Sequence, residues 1–382
     1  MKSRDFAPED SSNTMTGVEK IGRKRPLTFR STAFGTLPLA VLMVASVSFP
    51  VAEDHASATV ERRAWAMGTR ISITVEAGDR GSAVNASEAA LRAVAEVEAR
   101  LSTWGDESEL SRLNRADPET DFAVSPELES DLRVASHWWK ETRGAFDPGI
   151  RSLVEAWDLR RGGHEPSAVE LRLARAAAGL SHLALDLGIA RIDVAGFGIE
   201  EGGFGKGIAL RQAAEAAQAA GADCVVLDFG GQIEVAGDCG EAVVEIADPD
   251  RRDCSLARLT LGTTSVATSG NSERGLLVDG VLRGHLLDPR SGRPAPNWGA
   301  VTVVASDAVT ADCLSTALYV LGPLQGAEWL RRHPNIDAVF AVRTRDGTEL
   351  IATPGLMGRL ELSEGRVTYL PSVERRIQKL SK

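Results

Sequence analysis

Residues 301–322 constrain the fold more than any other stretch of this chain. They read VTVVASDAVTADCLSTALYVLG, a β-branched strand, a Ser306-Asp307 break that can cap a helix, and then about three helical turns. The helical part is apolar on almost every side, which indicates burial. The fold must therefore enclose this helix within a core.

Asp312 and Thr316 are the polar exceptions in that helix. They are four residues apart, so their side chains lie on one face. A buried carboxylate is costly unless it is paired or binds a metal, and a carboxylate beside a hydroxyl suits a hard cation such as Mg²⁺. The alternative is a helix aspartate that is satisfied by a neighbouring backbone group or an arginine.

The composition is that of a globular chain with ample core. The 382 residues are 43% hydrophobic and 25% charged, which permits one large domain or two. The net charge of −10 argues against a nucleic-acid binder, because such proteins neutralise phosphates with basic side chains.

Residues 1–58 have the pattern of a signal peptide behind a disordered N-terminus. A basic cluster between Lys20 and Arg30 precedes an apolar run at 33–51, and Ala56-Ser57-Ala58 then forms an A-x-A cleavage site. We expect cleavage near Ala58 and a periplasmic mature domain at 59–382. An uncleaved membrane anchor is the alternative.

Helical and strand patterns follow each other in mixed order along the mature chain. Helices are predicted at 87–101, from Ser125-Pro126 to Gly144, and at 208–220, and strands at 71–75 and 224–229. Hairpin patterns fill the region up to 283. This mixture predicts an α+β fold, with mixed antiparallel sheets flanked by helices, rather than a doubly wound sheet.

The cysteines lack the spacing of a metal finger. They lie at 224, 239, 254 and 313. Cys239 and Cys254 flank what reads as one hairpin, so an exported protein could join them. Buried unpaired thiols are the alternative.

GGFGKG, residues 202–207, is a candidate phosphate cradle because it precedes a predicted helix and carries Lys206. A mobile glycine loop is the alternative. Thr268, Ser269 and Gly270 are placed between strands, where hydroxyls beside Arg274 could bind phosphate or form a plain turn.

Two further side chains can carry chemistry. His285 heads a short apolar strand, and beside a metal and a phosphate it could act as a general base, although a lone histidine is more often structural. Trp104 lies in a predicted turn, where an indole can stack on a planar ring. Together the motifs indicate a site for a nucleotide diphosphate and a divalent cation.

The string of motifs resembles the ApbE family of FAD:protein FMN transferases. In order, the motifs are MGT, LSTWGDESELSRLN, GAFDP, GGFGKG, LDFGGQI, ATSG, HLLDPRSGRP and ADCLSTAL, and they span residues 65–322. The resemblance implies an ApbE-like flavin transferase fold and an exported, Mg²⁺-dependent enzyme. Such an enzyme takes FMN from FAD, joins it to a Thr or Ser hydroxyl of an acceptor protein, and releases AMP.

The resemblance also implies which residues bind FAD. Those that would contact the flavin, the adenosine or the diphosphate are Met67, Trp104, Ala145, Phe146, Asp147, Gly202, Lys206, Ile208 and Leu286. His285 would be the base at the scissile bond. The cation would bind the side chains of Asp312 and Thr316 and the carbonyl of Gly205, which makes Asp312 catalytic as well.

The glycine motif departs from the family pattern Asp-x-Gly-Gly-x-Ala-Lys-Gly. Glu200 stands in the place of the aspartate, and a glycine-rich insertion separates it from Asp193. Either Asp193 ends the strand and the loop bulges, or Glu200 substitutes for the aspartate.

The implied partners are FAD and an acceptor flavoprotein subunit of a membrane or periplasmic electron-transfer complex, with no nucleic acid. Two other functions stay open at this point. One is an FAD pyrophosphatase, which would use the same site with water as the acceptor. The other is a non-catalytic flavin-binding component of an exported redox assembly.

Overall fold

The computed structural model describes residues 57–271, 275–278, 281–363 and 365–370 of the chain. Of the sequence predictions, the signal peptide up to residue 56 and Arg274 lie outside these ranges. Among the described residues, no helix combines the length and the apolar character that a membrane span requires.

The described helices are α1 Arg80–Leu101, α2 Glu109–Leu113, α3 Pro126–Glu141, α4 Arg151–Ala156, α5 Ala168–Ala176, α6 Gly205–Ala219 and α7 Ala308–Arg331. Short 3₁₀ turns occur at Leu180–His182, Glu201–Gly203 and Pro354–Leu356.

The described strands are β1 Ala58–Ala66, β2 Thr69–Ala77, β3 Phe122–Ala123, β4 Leu183–Asp186, β5 Ile189–Ile192, β6 Cys224–Phe229, β7 Ile233–Gly237, β8 Ala242–Ala247, β9 Ser255–Leu261, β10 Thr264–Gly270, β11 Gly275–Val278, β12 Val281–Gly284, β13 Leu287–Asp288, β14 Arg293–Pro294, β15 Gly299–Ala305, β16 Asp337–Thr344, β17 Gly347–Ala352, β18 Leu360–Leu362 and β19 Val367–Tyr369.

A large sheet organises the domain. In the described part of the chain it has nine strands in the order β1-β2-β6-β7-β10-β15-β16-β17-β19. Neighbours pair antiparallel, except that β17 and β19 are parallel. The α+β prediction, with mixed antiparallel sheets and flanking helices, is confirmed.

Both faces of the large sheet are covered, as its central strand β15 shows. Every residue of β15 is buried. Val301 and Val303 pack into the core shared with α1, α6 and α7, whereas Val304 packs on the other side, against the small sheet β18-β9-β8. The strand and the helix of residues 301–322 are thus both enclosed, as their apolar pattern predicts.

Helix caps follow the sequence signals. The Asp307 carboxylate accepts hydrogen bonds from the backbone N–H groups of Val309 and Thr310 and so begins α7. Ser125 caps α3, where Pro126 occupies the first turn, and Ser167 forms a capping box with Glu170 at α5. Each cap satisfies backbone donors that the helix leaves unpaired.

The predicted end of the buried helix is a kink rather than a terminus. Gly322 has φ 72° and ψ 171°, and Pro323 follows it, so the helical hydrogen bonds are interrupted there. Beyond the kink, α7 continues to Arg331. The first part of the helix, up to Gly322, matches the prediction.

Cys239 does not pair with Cys254, the pairing that the sequence had left open beside unpaired thiols. Cys239 is joined to Cys224, with their Cα atoms 4.8 Å apart, whereas Cys254 and Cys313 are free thiols. The reason is the register of the β6–β7 hairpin, in which Cys224 lies opposite Gly237 and the chain brings Cys239 back beside it. Cys254 lies in the loop that joins β8 to β9, which form another hairpin.

We predict that this disulfide stabilises the domain. It closes a loop with a sequence separation of 15 residues, so replacing both Cys224 and Cys239 by Ala should lower the free energy of unfolding by about 3 kcal/mol. Urea titration of the double variant and the oxidised wild type measures the difference. The matched control is Cys254→Ser.

A thiol count provides a second test of the pairing. The denatured, unreduced protein should show two reactive thiols out of its four cysteines. Four reactive thiols in protein that was never exposed to a reductant would contradict the disulfide.

Candidate functional site

A cleft at the junction of α6, α7 and β10 gathers most of the residues that the sequence singled out. Its lining consists of Gly202, Lys206, Gln232, Ala267, Thr268, Ser269, Gly270, His285, Leu286, Asp312 and Thr316. These residues come from distant parts of the chain. The structure therefore brings together the predicted phosphate cradle, base and metal ligands.

The glycine motif is more ordered than the sequence indicated. A 3₁₀ turn covers Glu201–Gly203 and α6 begins at Gly205, not at Ile208, so Lys206 lies in the first helical turn. Here the unpaired N–H groups and the positive end of the helix dipole favour an anion. The motif forms a helix N-terminus that faces the cleft.

Gly207 allows α6 to pack closely against α7. A Cβ at this position would lie 2.6 Å from the Ala308 carbonyl oxygen and 2.7 Å from the Val309 Cα, which are backbone atoms. The close approach lets the Gly207 N–H donate to Oδ2 of Asp312 over 2.9 Å. The cradle and the carboxylate are thus coupled directly.

Asp312 is buried, and its carboxyl is difficult to ionise. Burial raises its pKa to about 6, although the Lys206 charge and the Gly207 N–H lower it. A further positive charge would favour the carboxylate, since opposite charges stabilise the ionised form.

The oxygens around the cleft fit a hard cation. Asp312 and Thr316 both line it, as the four-residue spacing predicts. Oε1 of Gln232 is buried and has no hydrogen-bond partner among the described residues, while Nε2 of the same amide donates to the Ala308 carbonyl. No cluster of three or more His, Cys, Asp or Glu residues for a metal occurs in the described ranges. The donors are instead a carboxylate, a hydroxyl and amide oxygens, which suit Mg²⁺ bound partly through water.

Thr268, Ser269 and Gly270 do not lie between strands, as predicted, but form the end of β10. Oγ of Ser269 is 2.8 Å from Oγ of Ser315, and Ser315 donates to the Asp312 backbone carbonyl. Since Ser315 has one hydroxyl proton, Ser269 must donate to Ser315. The hydrogen bonds therefore tie β10 to the turn of α7 that carries Asp312.

His285 and Leu286 also line the cleft. They connect β12 to β13 and are half-buried. His285 thus faces the same space as Lys206 and Asp312. This position is compatible with a base that acts beside a bound diphosphate.

Trp104 is 61% exposed and lies outside the cleft lining. Its ring centroid is 5.1 Å from Cζ of Arg160, a cation–π distance. Arg160 also donates to the carbonyl and the hydroxyl of Thr103 over 2.6 Å each, and forms an ion pair with Glu200. The indole is therefore supported on one face and open on the other.

Two carboxylates precede the glycine motif, Asp193 and Glu200, and their surroundings differ. β5 ends at Ile192, and the Asp193 carboxylate that follows it is bonded to His182 at an exposed position. Glu200 is instead largely enclosed next to the glycine motif, where burial raises its pKa and the Arg160 charge opposes the rise. Glu200, rather than Asp193, is the carboxylate that lies enclosed beside the glycine motif.

Met67 and Phe146 lie against the glycine motif from two sides. Met67 has φ 46° in the tight turn between β1 and β2, and its Cε would be 2.9 Å from a Cβ on Gly205. A Cβ on Gly203 would lie 3.1 Å from the Phe146 ring and 3.3 Å from Oγ1 of Thr316. Both side chains thus border the loop that faces the cleft.

Three other predicted FAD contacts are buried. Ala145 and Ile208 are 0% exposed, and Asp147 is 8% exposed. The Asp147 carboxylate accepts hydrogen bonds from the backbone N–H groups of Gly149 and Leu180, and burial raises its pKa to about 6. These residues hold the turn and the core beside the cleft, and their contact with FAD stays a prediction.

Most of this chain matches a known protein family. The family described as the ApbE family matches residues 67–340. The chain belongs to the ApbE family. The FAD:protein FMN transferase of Vibrio cholerae is 30% identical over 264 residues, which are 67% of this chain and 79% of that protein.

Solved structures of ApbE proteins share the fold. The flavin transferase ApbE from Vibrio cholerae has a TM-score of 0.70 at 26% identity and covers 79% of this chain and 99% of its own. The ApbE protein from Thermotoga maritima has a TM-score of 0.72, also at 26% identity and with the same coverage of both chains. The predicted resemblance and the ApbE-like fold are confirmed.

Sequence reasoning did not single out Gln232, Arg160 or Asn271. Gln232 lies in the quoted motif LDFGGQI. The one local sign of a functional role was a polar amide directly before an apolar strand. Arg160 had no local signal, because its partners Thr103 and Glu200 are far away in the sequence.

Glu234 on β7 is a buried carboxyl whose pKa is well above its ordinary value. Glu234 is 8% exposed, and its Oε2 has no hydrogen-bond partner in the described structure. Burial raises its pKa to about 7, the hydrogen bond with Ser265 lowers it, and the charges of Asp307 and Glu215 raise it further. The folded protein therefore retains this proton at pH values where the unfolded chain, with an ordinary glutamate pKa, has lost it.

We predict that Glu234→Gln stabilises the protein increasingly as the pH rises. Between about pH 4.5 and pH 7 the folded wild type binds more protons than the unfolded chain, so its free energy of unfolding falls with pH. The variant has no carboxyl to ionise at this position, so its free energy of unfolding does not fall in this way. At pH 8 it should exceed that of the wild type by on the order of 2 kcal/mol. Urea titrations at pH 5 and pH 8 measure the difference. The exposed Glu245→Gln is the control, and an equal effect at both pH values would contradict the assignment.

Proposed function

We propose that this chain transfers FMN from FAD to a hydroxyl of an acceptor protein. The observation that carries the proposal is the convergence of Lys206, His285, Asp312 and Thr316 on one cleft. A second support is that the chain belongs to the ApbE family, whose relatives are named FAD:protein FMN transferase. The diphosphate of FAD would lie across the N-terminus of α6.

A divalent cation, Mg²⁺, would be held by the side chains of Asp312 and Thr316 and by the carbonyl of Gly205. Bound there, it would neutralise charge on the diphosphate and make AMP a better leaving group. Gln232 lines the same cleft, and its buried Oε1, which has no hydrogen-bond partner in the described chain, would offer a further oxygen acceptor there.

His285 would act as the general base. It takes the proton from the acceptor hydroxyl while that oxygen attacks the phosphorus on the FMN side. The bond between this phosphorus and the bridging oxygen breaks, and the bridging oxygen leaves with AMP. The product is a phosphoester between FMN and the acceptor.

The N-terminus of α6 would stabilise the charge that develops on the phosphoryl oxygens. Lys206 supplies a positive charge next to Asp312, and the unpaired N–H groups of the first turn supply oriented donors. Because the close contact of α6 with α7 holds these groups in advance, they need not reorganise during the reaction.

We further propose that the acceptor offers a Thr or Ser hydroxyl and belongs to a membrane or periplasmic electron-transfer complex. The support is the signal-peptide pattern at 1–58, which predicts export, together with the family resemblance. Mass spectrometry of a co-expressed partner tests this step by locating an FMN adduct.

We predict that Asp312→Ala abolishes Mg²⁺-dependent transfer and weakens FAD binding, because the cation loses its carboxylate ligand. The assay follows covalent flavin fluorescence of the acceptor on a denaturing gel, with and without Mg²⁺. The matched control is Asp346→Ala in an exposed turn, which should transfer at the wild-type rate. Full Mg²⁺-dependent transfer by Asp312→Ala would overturn the assignment.

The same assay separates the alternative functions. Release of FMN and AMP that is independent of the acceptor would indicate a pyrophosphatase. Recovery of intact FAD after incubation of the wild type with Mg²⁺ and acceptor would indicate a binding protein without turnover.

We predict that Trp104 and Arg160 contribute to flavin binding as a unit. Trp104→Ala should weaken FMN binding by about 1 kcal/mol or more, because an aromatic face is lost. Arg160→Leu should also weaken FMN binding, because the Trp104 indole loses its support. Titration of FMN fluorescence measures both effects, with Trp65→Ala, another exposed indole, as the control. Additive losses in the double variant would show that the two side chains act separately.

A further inference from the structure

The carboxamide of Asn271 is inserted between the two segments that enter and leave the β13–β14 hairpin. The Leu286 N–H donates to Oδ1 of Asn271 over 3.2 Å, and Nδ2 of Asn271 donates to the Ala295 carbonyl over 3.1 Å. The Ala295 N–H in turn donates to the Leu286 carbonyl over 2.8 Å. Asn271 is 3% exposed, so this closed network is buried.

The inserted amide replaces one rung of a β-ladder. Leu287 lies opposite Pro294, so Leu286 and Ala295 form the next pair, which would ordinarily exchange both backbone hydrogen bonds. Here one bond is direct, and the side chain of Asn271 bridges the other. Its oxygen must face an N–H and its nitrogen a carbonyl, a combination that a carboxamide provides and a carboxylate does not.

Gly284 provides the space for that amide. A Cβ on Gly284 would lie 1.9 Å from Cγ, 2.0 Å from Nδ2 and 2.2 Å from Oδ1 of Asn271. Gly284 does not have a left-handed backbone, so an alanine is excluded by the amide rather than by its own conformation.

We propose that Asn271 is a positioning residue for His285. The residues on both sides of His285 contact the Asn271 amide, and Asn271 itself directly follows Gly270, at the end of β10. One side chain therefore sets the distance between the His285 segment and the wall formed by Thr268, Ser269 and Gly270. The role rests on the proposed function, in which His285 is the base.

The test compares Asn271→Ala, Gly284→Ala and the double variant. Asn271→Ala should slow single-turnover FMN transfer by roughly tenfold to a hundredfold, as expected for a displaced catalytic group. The dissociation constant for FAD should change by a clearly smaller factor than the rate, because the displaced base affects the chemical step whereas Leu286 is one of several FAD contacts. Gly284→Ala should match Asn271→Ala, since its new methyl group expels the amide.

The double variant is the sharpest comparison. Once the amide is absent, the methyl group of Gly284→Ala has room, so the double variant should be no slower than Asn271→Ala alone. Asn271→Asp, which keeps the shape but lacks the donor, should be slow as well. In a His285→Ala background, Asn271→Ala should cause no further loss. Thr353→Val, which removes another buried hydrogen bond to the backbone, is the control for general destabilisation.

The proposal is overturned if Asn271→Ala transfers at the wild-type rate, if the two single losses add, or if FAD binding falls in parallel with the rate. Amide hydrogen exchange at Leu286 tests the geometry without any activity. Exchange should be slow in the wild type and faster in Asn271→Ala. If the Leu286 N–H of the wild type exchanges slowly but the protein transfers no FMN, the proposed function is refuted while the hydrogen-bond network stands.

Discussion

The contact of α6 with α7 at Gly207 is the constraint on which the site depends. The backbone of Ala308 and Val309 occupies the place of a side chain at Gly207, and the Gly207 N–H donates to Asp312. A larger residue would push the helices apart and separate the α6 N-terminus from the carboxylate. The close approach thus places a helix N-terminus, which favours anions, beside a buried aspartate, the arrangement that the proposed metal-bound diphosphate requires.

Burial then determines the electrostatics of the cleft. The large sheet and its covering helices exclude water from Asp312, so its pKa rises and a nearby positive charge becomes favourable. Gln232 presents an amide oxygen to the same space, held in place by the Ala308 carbonyl. The other walls are equally constrained, since Ser269 is tied to α7 through Ser315, and the His285 segment is tied to β10 through Asn271.

Residues outside the motifs support those within them. Arg160 holds Trp104 from beneath and neutralises Glu200, so a single guanidinium links the indole to the glycine motif. The Glu200 carboxylate beside the glycine motif is thus paired with an arginine from the turn that follows α4. The disulfide likewise follows strand register. Cys239 is joined to Cys224, although Cys254 is separated from Cys239 by the same number of residues.

The sequence alone determined the features that depend on neighbours along the chain. The Asp307 cap, the buried helix and the spacing of Asp312 and Thr316 are local, and the order of motifs was sufficient to indicate the family. Tertiary structure decided what depends on distant segments: the disulfide partner, the early start of α6, the position of Thr268 to Gly270 within β10, and the Asn271 network. Hydrogen bonds between residues such as Asn271 and Ala295 form only when the sheet sets its register, and no local pattern encodes that register.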